Sequence, residues 1–429
     1  MLKNVFFWKE LDEEQKKRIL SRPNIHIKKK YKKLVRNILF DVFNYGDLAL
    51  KKYCLLFDKI KIEKFKIEQQ IVLNSHLNVS ENFKKSILHA KKNIEYFHGF
   101  QKKKDIDVEI EPGVRCQHIS IPIDSVGLYI PGGSSPLVST VLMLAIPAKI
   151  AGCRKIILCS PPPISNEILY CAYICGIQDI YQIGGSQAIA AMAFGTESIP
   201  KVQKIFGPGN VYVTEAKIQI NNFSEGVSID MPAGPSEILV IADKSANPDF
   251  IASDLLSQSE HGMDSQSIFI SPEYTLVKQV ISSISTQMKN FSKLDLIFQS
   301  MENSRFIVSE NLLECIKISN IYAPEHLIIQ TLNSRKLLKD IINAGSIFLG
   351  KWSPESVGDY ASGSNHVLPT NGYSSSYSGL RVFDFQKDIT VQELTRNGLV
   401  NLSSTILKLA SFEKMDAHKN SVLVRIKED

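Results

Sequence analysis

The stretch EILVIAD at residues 237–243 is followed by PDFIASDLLSQSEHG at 248–262 and by SIFIS at 267–271. The two short apolar runs predict β-strands, and the longer amphipathic run between them predicts a helix. Strands that alternate with helices are typical of a parallel sheet, because parallel strands need a long crossover connection. Further apolar runs continue the alternation at 304–309, 326–330 and 345–349. These residues therefore predict a parallel α/β domain.

A second series with the same alternation lies upstream. Its apolar runs KIILCS (155–160), DIYQIGG (179–185) and VQKIFGPG (202–209) each end in turn residues, and the stretches between them are typical of helices. The chain is therefore predicted to contain two α/β domains.

The flanking segments differ from both series. Residues 1–105 predict helices, and residues 107–130 predict strands separated by turns. Residues 351–388 form a long polar segment of the kind that usually carries function. The last 40 or so residues predict a helix followed by a short strand, VLVRI (422–426). Such a tail cannot bury a core of its own, so we expect it to dock elsewhere.

Composition limits the class of protein. The chain has 429 residues, of which 44% are hydrophobic and 22% are charged, as in a globular protein of two or three domains rather than a disordered one. No apolar run is long enough to span a membrane, and the start of the chain does not resemble a signal peptide. Seven scattered cysteines without a CxxC pair favour a reducing compartment, and we expect a cytoplasmic protein.

The net charge of +6 comes from the first 110 residues, where basic side chains outnumber acidic ones. Lysine pairs recur there at helical spacing beside apolar residues, as in YKKLVRNILFDVF (31–43). That pattern favours the solvated faces of amphipathic helices over a surface for nucleic acid, so no nucleic-acid partner is expected.

Four glycine-rich turns accompany the predicted strands. Such turns let backbone N–H groups and a helix N-terminus face an anion such as a pyrophosphate. Together they favour a nucleotide or phosphate ligand, although GxGxxG, the usual dinucleotide motif, is absent. The turns are Pro131–Ser135, Gly184–Gln187, Gly207–Asn210 and Ala233–Ser236.

Histidine and acidic residues cluster in four polar motifs. Gln258 and His261 are three residues apart at the end of a predicted helix, so they share one face. Histidine and aspartate are good ligands for Zn²⁺, but no spacing here is diagnostic of a metal site. Proton transfer by His326 and a purely structural role for it both remain open. The other motifs hold Glu325 and His326, Asp359 and His366, and His418.

Several longer motifs, in matching order from about residue 25 to the C-terminus, resemble histidinol dehydrogenases. They are YIPGG (129–133), GGSQAIAAMAFG (184–195), FGPGN (206–210), IDMPAGPSE (229–237), SDLLSQSEHGMDSQ (253–266), IYAPEHL (321–327), WSPESVGDYASGSNHVLPT (352–370) and AHKN (417–420).

The resemblance implies an α/β fold with two incomplete Rossmann-like parallel-sheet domains and helical N-terminal and C-terminal extensions. Residues 1–25 would form the N-terminal helical extension. Residues 26–128 and 237–380 would form the first Rossmann-like domain, which carries the catalytic and zinc residues. Residues 129–236 would form the second, NAD-binding domain. Residues 381–429 would form an arm that docks on the dimer partner.

The resemblance also implies an activity, the last step of histidine biosynthesis. L-Histidinol would be oxidised through L-histidinal to L-histidine by two NAD, in a zinc-dependent homodimer whose active sites are shared between chains. Glu325 and His326 would be the catalytic pair. The zinc ligands would be Gln258, His261, Asp359 and His418. Substrate contacts would include the four ligands, His326, Ser236, His366 and Glu413, and NAD contacts would include Tyr129, Gln187 and Asn210.

Three alternatives remain open at this stage. Aldehyde oxidation often proceeds through a cysteine thiolate, for which Cys116 and Cys153 are the candidates. The chain is also compatible with a nucleotide-binding scaffold without activity, or with a dehydrogenase of another amino alcohol. The intact Glu325–His326 pair favours an enzyme, and His366 and Glu413 favour histidinol. Whether zinc or manganese is the native metal stays open.

Overall fold

Two parallel sheets and one antiparallel sheet organise the chain. The computed structural model describes residues 5–23, 29–102, 105–132, 136–221, 227–232, 234–291 and 294–427. Its strands are β1 (Val5–Phe7), β2 (Ile106–Glu111), β3 (Val114–Pro122), β4 (Ser125–Tyr129), β5 (Lys155–Ser160), β6 (Asp179–Gln182), β7 (Lys204–Phe206), β8 (Ser228–Ile229), β9 (Glu237–Ala242), β10 (Gln266–Ser271), β11 (Arg305–Val308), β12 (His326–Gln330), β13 (Ser346–Leu349) and β14 (Gln386–Leu394).

The α-helices cover the faces of the sheets, and a helix ends the described chain, which begins with β1. They are α1 (Glu13–Ile19), α2 (Lys29–Tyr53), α3 (Gln69–Asn74), α4 (Glu81–Gly99), α5 (Val138–Ala151), α6 (Asn166–Ile174), α7 (Gly185–Phe194), α8 (Val211–Ile220), α9 (Pro248–Ser259), α10 (Tyr274–Gln287), α11 (Leu294–Glu302), α12 (Leu312–Tyr322), α13 (Ser334–Leu337), α14 (Glu355–Tyr360), α15 (Arg396–Phe412) and α16 (Asp416–Ile426).

The larger sheet has six parallel strands in the order β1-β11-β10-β9-β12-β13. The predicted strands at 237–243, 267–271, 304–309, 326–330 and 345–349 are confirmed. Every residue of β9 is buried, as expected for a central parallel strand covered on both faces. The helical prediction for the first residues is wrong at β1, which pairs with β11. Three residues are too few to show a strand period, so only the tertiary pairing reveals this strand.

The second sheet has five parallel strands in the order β6-β5-β4-β7-β8. The predicted strands at 155–160, 179–185 and 202–209 belong to it, and the predicted helices between them are α6 and α7. Two parallel sheets with helices on their faces confirm the predicted α/β class. Among the described residues, none of the helices combines the length and apolar character needed to cross a membrane.

Helices α2, α3 and α4 pack mainly on the helices of the five-stranded sheet. Helix α2 contacts α7 and α8, and α4 contacts α5. The sequence-based division grouped residues 26–128 with 237–380, whereas these contacts connect 29–99 with the other sheet. The domain boundaries themselves stay a prediction. The residues at 24–28 lie outside the described chain.

The third sheet is antiparallel, in the order β14-β3-β2. Strands β2 and β3 confirm the strand prediction for 107–130, and β14 was not predicted. The C-terminal strand prediction is wrong, because VLVRI (422–426) lies inside α16, which packs on α15 as a helical hairpin. A short run with four apolar residues does not distinguish a strand from a helical turn, so packing on α15 decides between them.

Candidate active site

The amino ends of two neighbouring strands bring the predicted catalytic pair together with β9. His326 is the first residue of β12 and lies opposite Ile238 of β9, while Glu325 directly precedes β12 and Ser236 directly precedes β9. The site therefore lies at the amino-terminal edge of the six-stranded sheet. The preceding turn includes Ala233, which lies outside the described residues.

The backbone of Glu237 holds both members of the pair. Its N–H donates to Oε2 of Glu325 at 2.8 Å, and its carbonyl lies 3.1 Å from Nδ1 of His326. Because a carbonyl only accepts hydrogen bonds, this contact assigns the hydrogen to Nδ1 and leaves the lone pair on Nε2. Behind Glu325, Gly345 allows close backbone approach, since a Cβ there would lie 2.6 Å from the Glu325 carbonyl oxygen.

Burial controls the ionisation of the pair. Loss of solvent lowers the pKa of His326 to about 3, although its hydrogen bond to Glu237 acts in the opposite direction, so the imidazole is neutral near pH 7. Burial also raises the pKa of Glu325 well above its usual range. The hydrogen bond from Glu237 N–H lowers this pKa, and the charges of Glu237, Glu355 and Asp359 raise it further. A neutral imidazole therefore lies next to a carboxyl group that binds protons unusually tightly.

An acidic cluster adjoins this pair. One ligand atom from each of His261, Glu355 and Asp359 lies within 4.8 Å of the others, a spacing that suits a metal ion. His261 follows α9, whereas Glu355 and Asp359 lie four residues apart on α14 and so share one face of that helix. Burial raises the pKa of Asp359 to about 6 and that of Glu355 well above its usual range. A cation would relieve the cost of burying these charges together.

Two further predicted residues, one buried and one partly buried, lie close in sequence to members of the cluster. Gln258, in the last turn of α9, is fully buried, and neither atom of its amide group has a hydrogen-bond partner in the described structure. His366 contacts the Asp359 carbonyl through Nδ1 at 2.9 Å and lies 3.3 Å through Nε2 from Oγ1 of Thr140 on α5. Burial lowers the pKa of His366 to about 4. His366 thus connects this site to the helices of the five-stranded sheet.

The C-terminal residues lie apart from the cluster within one chain. His418 on α16 and Glu413 at the end of α15 are both exposed, and His418 is not part of the group formed by His261, Glu355 and Asp359. The structure therefore brings His261 and Asp359 together without His418.

The predicted NAD residues lie at the carboxyl-terminal edge of the five-stranded sheet. Tyr129 ends β4, and its hydroxyl accepts a hydrogen bond from Gly185 N–H at 3.1 Å. Gln187, in the first turn of α7, is buried, and its Oε1 has no hydrogen-bond partner among the described residues. Asn210 caps α8 through its side-chain oxygen. Ligands of parallel α/β sheets commonly bind at this edge. The nearby turn residues 133–135 lie outside the described chain.

Sequence reasoning missed Glu355, whose Oε1 lies 3.4 Å from Nδ1 of His326. The available signal was its position four residues before Asp359, but the segment 351–388 was interpreted as a loop, so helical spacing was not applied to it. Both carboxylate oxygens of Glu355 are buried without a hydrogen-bond partner in the described structure.

Comparison with known proteins connects this geometry to one family. A sequence profile for histidinol dehydrogenase matches residues 20–426. The chain belongs to the histidinol dehydrogenase family. It is therefore an oxidoreductase of histidine biosynthesis, and the resemblance seen in the sequence is confirmed.

Individual histidinol dehydrogenases match along nearly the whole chain. The enzyme named histidinol dehydrogenase from Buchnera aphidicola of Acyrthosiphon pisum is 58% identical over 424 residues, covering 99% of this chain and 98% of its own. The one from Escherichia coli K12 is 53% identical over 419 residues, covering 98% and 96%. A crystal structure of histidinol dehydrogenase from Elizabethkingia anophelis is 44% identical, has a TM-score of 0.95, and covers 99% of this chain and 98% of its own.

Proposed function

We propose that this chain oxidises L-histidinol through L-histidinal to L-histidine, reducing two NAD in a zinc-dependent homodimer. The observation that carries the proposal is the buried Glu325–His326 pair beside the His261–Glu355–Asp359 cluster. Family membership supports the substrate, because histidinol dehydrogenases match the chain from end to end.

The side chains gathered around His261 and Asp359 suit a divalent metal ion. Gln258, His261 and Asp359 would hold it, together with His418 from the partner chain. The unpartnered amide of Gln258 and the raised pKa of Asp359 both fit a cation that is bound in the working enzyme. When bound, the metal would orient the imidazole and amino nitrogens of the substrate.

The residues at the five-stranded sheet support NAD. Gln187 offers a buried oxygen that has no hydrogen-bond partner within the described part of the chain. Tyr129, at the end of β4, and Asn210, at the start of α8, lie at the same edge of the sheet. NAD would accept the hydride removed in each oxidation. Of the residues named in the sequence analysis, Ser236, His366 and Glu413 would contact histidinol.

His326 serves as the base of the first oxidation in this proposal. Its pKa of about 3 keeps the ring neutral, and the hydrogen bond from Nδ1 to the Glu237 carbonyl leaves Nε2 able to accept a proton. That proton comes from the substrate hydroxyl as hydride leaves the adjacent carbon. The fixed ring orientation reduces the entropy lost in reaching this geometry.

Glu325 acts in the second oxidation. The aldehyde carbon carries no hydroxyl group, and the second hydride removal needs a hydroxyl whose proton a base can take. The aldehyde must therefore first be hydrated. A raised pKa favours the protonated form of Glu325, so the group must first release its proton to solvent; the ionised carboxylate is then a stronger base than an exposed one and can accept a proton from the attacking water. His326, having released the first proton to solvent, then accepts the hydroxyl proton of the hydrate as the second hydride leaves for NAD.

The cysteine alternative receives little support. Cys153 is buried, and burial raises its pKa to about 12, so it holds its proton at neutral pH. Cys116 lies on β3 in the antiparallel sheet, away from the strand ends that hold Glu325 and His326. Cys116→Ser and Cys153→Ser variants should therefore keep full four-electron turnover.

The test is the yield of NADH per L-histidinol consumed, with and without a chelator. Two NADH per histidinol, lost on chelation and regained with Zn²⁺, is the expected result. One NADH with accumulating aldehyde would contradict the role of Glu325. No NADH from folded, zinc-loaded protein would favour another amino alcohol or an inactive scaffold.

A further inference from the structure

Arg22 contacts the segments that carry the catalytic pair. Its Nε and Nη2 donate to the two carboxylate oxygens of Glu237 at 2.5 and 3.0 Å, and Nη2 also donates to the Tyr322 carbonyl at 2.7 Å. The guanidinium carbon lies 4.1 Å from the centroid of the Tyr322 ring. The Glu237 side chain is only 3% exposed, so this is a buried, two-pronged ion pair.

Glu237 connects Arg22 to the catalytic pair. Its backbone N–H and carbonyl are the partners of Glu325 and His326, while its side chain is held by Arg22 and by the Asn371 N–H at 2.9 Å. A displacement of the Glu237 side chain would therefore move the backbone groups on which both catalytic side chains rest.

The turn before Glu325 depends on the same arginine. Ala323 ends α12 with a φ of 53°, a left-handed conformation that is unfavourable for an alanine. The Ala323 carbonyl accepts hydrogen bonds from Arg22 Nη2 at 3.3 Å and from the Ser374 hydroxyl at 2.7 Å. These contacts hold a strained backbone two residues before Glu325.

The middle of the long polar segment 351–388 also lies against Arg22. Asn371 and Gly372 both have positive φ, at 55° and 78°, and together form a tight turn. A Cβ on Gly372 would lie 3.2 Å from Nη1 of Arg22, so the turn passes directly over the guanidinium. Arg22 thus joins the N-terminal segment, β9, the end of α12 and this turn.

We propose that Arg22 and Glu237 are positioning residues that hold Glu325 and His326 in their working geometry. The inference rests on the proposed function, in which those two residues transfer protons. Removing Arg22 alone leaves the Glu237 carboxylate buried without its partner, so stability is expected to fall as well, and the effect on geometry has to be read from kcat and hydrogen exchange of folded protein.

The test compares Arg22→Ala with Arg22→Lys and with a matched control, Arg305→Ala. Arg305 on β11 is also partly buried, and its hydrogen bonds go to the carbonyls of Glu302 and Ser304.

For Arg22→Ala, kcat for histidinol oxidation should fall about 10–100-fold while KM changes less than about threefold. Arg22→Lys should recover part of kcat, because lysine keeps the charge but not the forked geometry. Arg305→Ala should keep the wild-type kcat.

A second readout does not depend on activity. Hydrogen exchange of the Glu237 amide should be faster in Arg22→Ala than in wild type and unchanged in Arg305→Ala. If Arg22→Ala fails to fold, Glu237→Gln keeps the side-chain volume and an acceptor for Asn371, and the same two measurements apply to it.

Two results would overturn the inference. One is a folded Arg22→Ala protein whose kcat stays within about twofold of wild type with unchanged exchange at Glu237. The other is an equal loss of kcat in Arg305→Ala. Wild-type protein that does not oxidise histidinol would instead overturn the proposed function, while the exchange measurement would still decide whether Arg22 holds Glu237 in place.

Discussion

Glu325 and His326 are adjacent in sequence and share Glu237 as a backbone partner, yet burial changes their pKa values in opposite directions. Desolvation favours the uncharged form of each group. The neutral imidazole of His326 can therefore accept a proton at Nε2, and the carboxylate of Glu325, once formed, is a strong base. The two groups can therefore take different steps in one site.

Glu325→Gln tests this division at the level of one residue. The amide keeps the size of the side chain and an acceptor for the Glu237 N–H but cannot take a proton from water. We expect oxidation of L-histidinal to slow about 10²–10³-fold in single-turnover assays, with a much smaller effect on oxidation of L-histidinol. The exposed Glu260→Gln serves as control. Equal slowing of both half-reactions would contradict the assignment.

Burial of Asp254 should make the unfolding free energy depend on pH. Burial raises its pKa to about 7, against the opposing effect of the hydrogen bond from Gln330 Nε2 at 3.0 Å. A carboxyl group with a higher pKa in the folded state stabilises the fold at low pH, and this contribution is lost as pH rises from its unfolded value of about 4 to about 7. Asn at this position stays neutral and still accepts from Gln330.

Between pH 5 and pH 8, metal-free wild-type protein should therefore lose about 2–3 kcal/mol more unfolding free energy than Asp254→Asn. Denaturant unfolding at the two pH values measures this difference. Substituting the exposed Asp264 by Asn should not reproduce it. Parallel losses in wild type and Asp254→Asn would show that Asp254 titrates normally.

At the scale of elements, α14 places two carboxylates on one face beside the end of α9. Asp359→Ala should lower metal affinity at least about tenfold and reduce activity together with it, because a ligand is lost. Metal content after dialysis and the rate of NADH formation measure the two effects. Ser356→Ala, on the same helix, is the control. Activity that survives in metal-free Asp359→Ala protein would refute the ligand assignment.

Asn210 caps the N-terminus of α8 at the proposed NAD-binding edge of the five-stranded sheet. Asn210 accepts hydrogen bonds from the N–H groups of Tyr212 and Val213, and Ser80 caps α4 in a similar way. Loss of either cap should cost about 1 kcal/mol of unfolding free energy. Only Asn210→Ala should also raise the KM for NAD, because only that cap lies at the proposed cofactor edge. An unchanged KM for NAD in Asn210→Ala would remove Asn210 from the cofactor site.

At the scale of the whole molecule, His418 is exposed on the C-terminal helical hairpin and separate from His261 within one chain. If the arm completes the partner's site, a heterodimer of His261→Ala and His418→Ala chains contains one intact site and one doubly altered site. A 1:1 mixture that exchanges subunits freely should recover about a quarter of wild-type activity. Proven heterodimers without activity would contradict a shared site.

Much of the architecture could be predicted from local sequence. The strands from 237–243 to 345–349 are short, almost continuously apolar runs, and their periodicity depends only on neighbouring residues. The helix caps are equally local: Asp12 and Gln15 form a capping box at the start of α1, and the Ser80 side chain accepts a hydrogen bond from the Phe83 N–H at the start of α4. The motifs from YIPGG to AHKN indicated the family, which the comparisons confirm.

By itself, then, the sequence determined the α/β class, the two parallel series and the family, because each depends on short-range pattern or on motif order. Only the tertiary structure decided that residues 5–7 and 386–394 form strands and that VLVRI is helical, since those segments take their conformation from their packing partners. The same holds for Glu355 beside His326 and for the pairing of Arg22 with Glu237 across 215 residues. Contacts between distant residues depend on how the elements pack, and no local period encodes them.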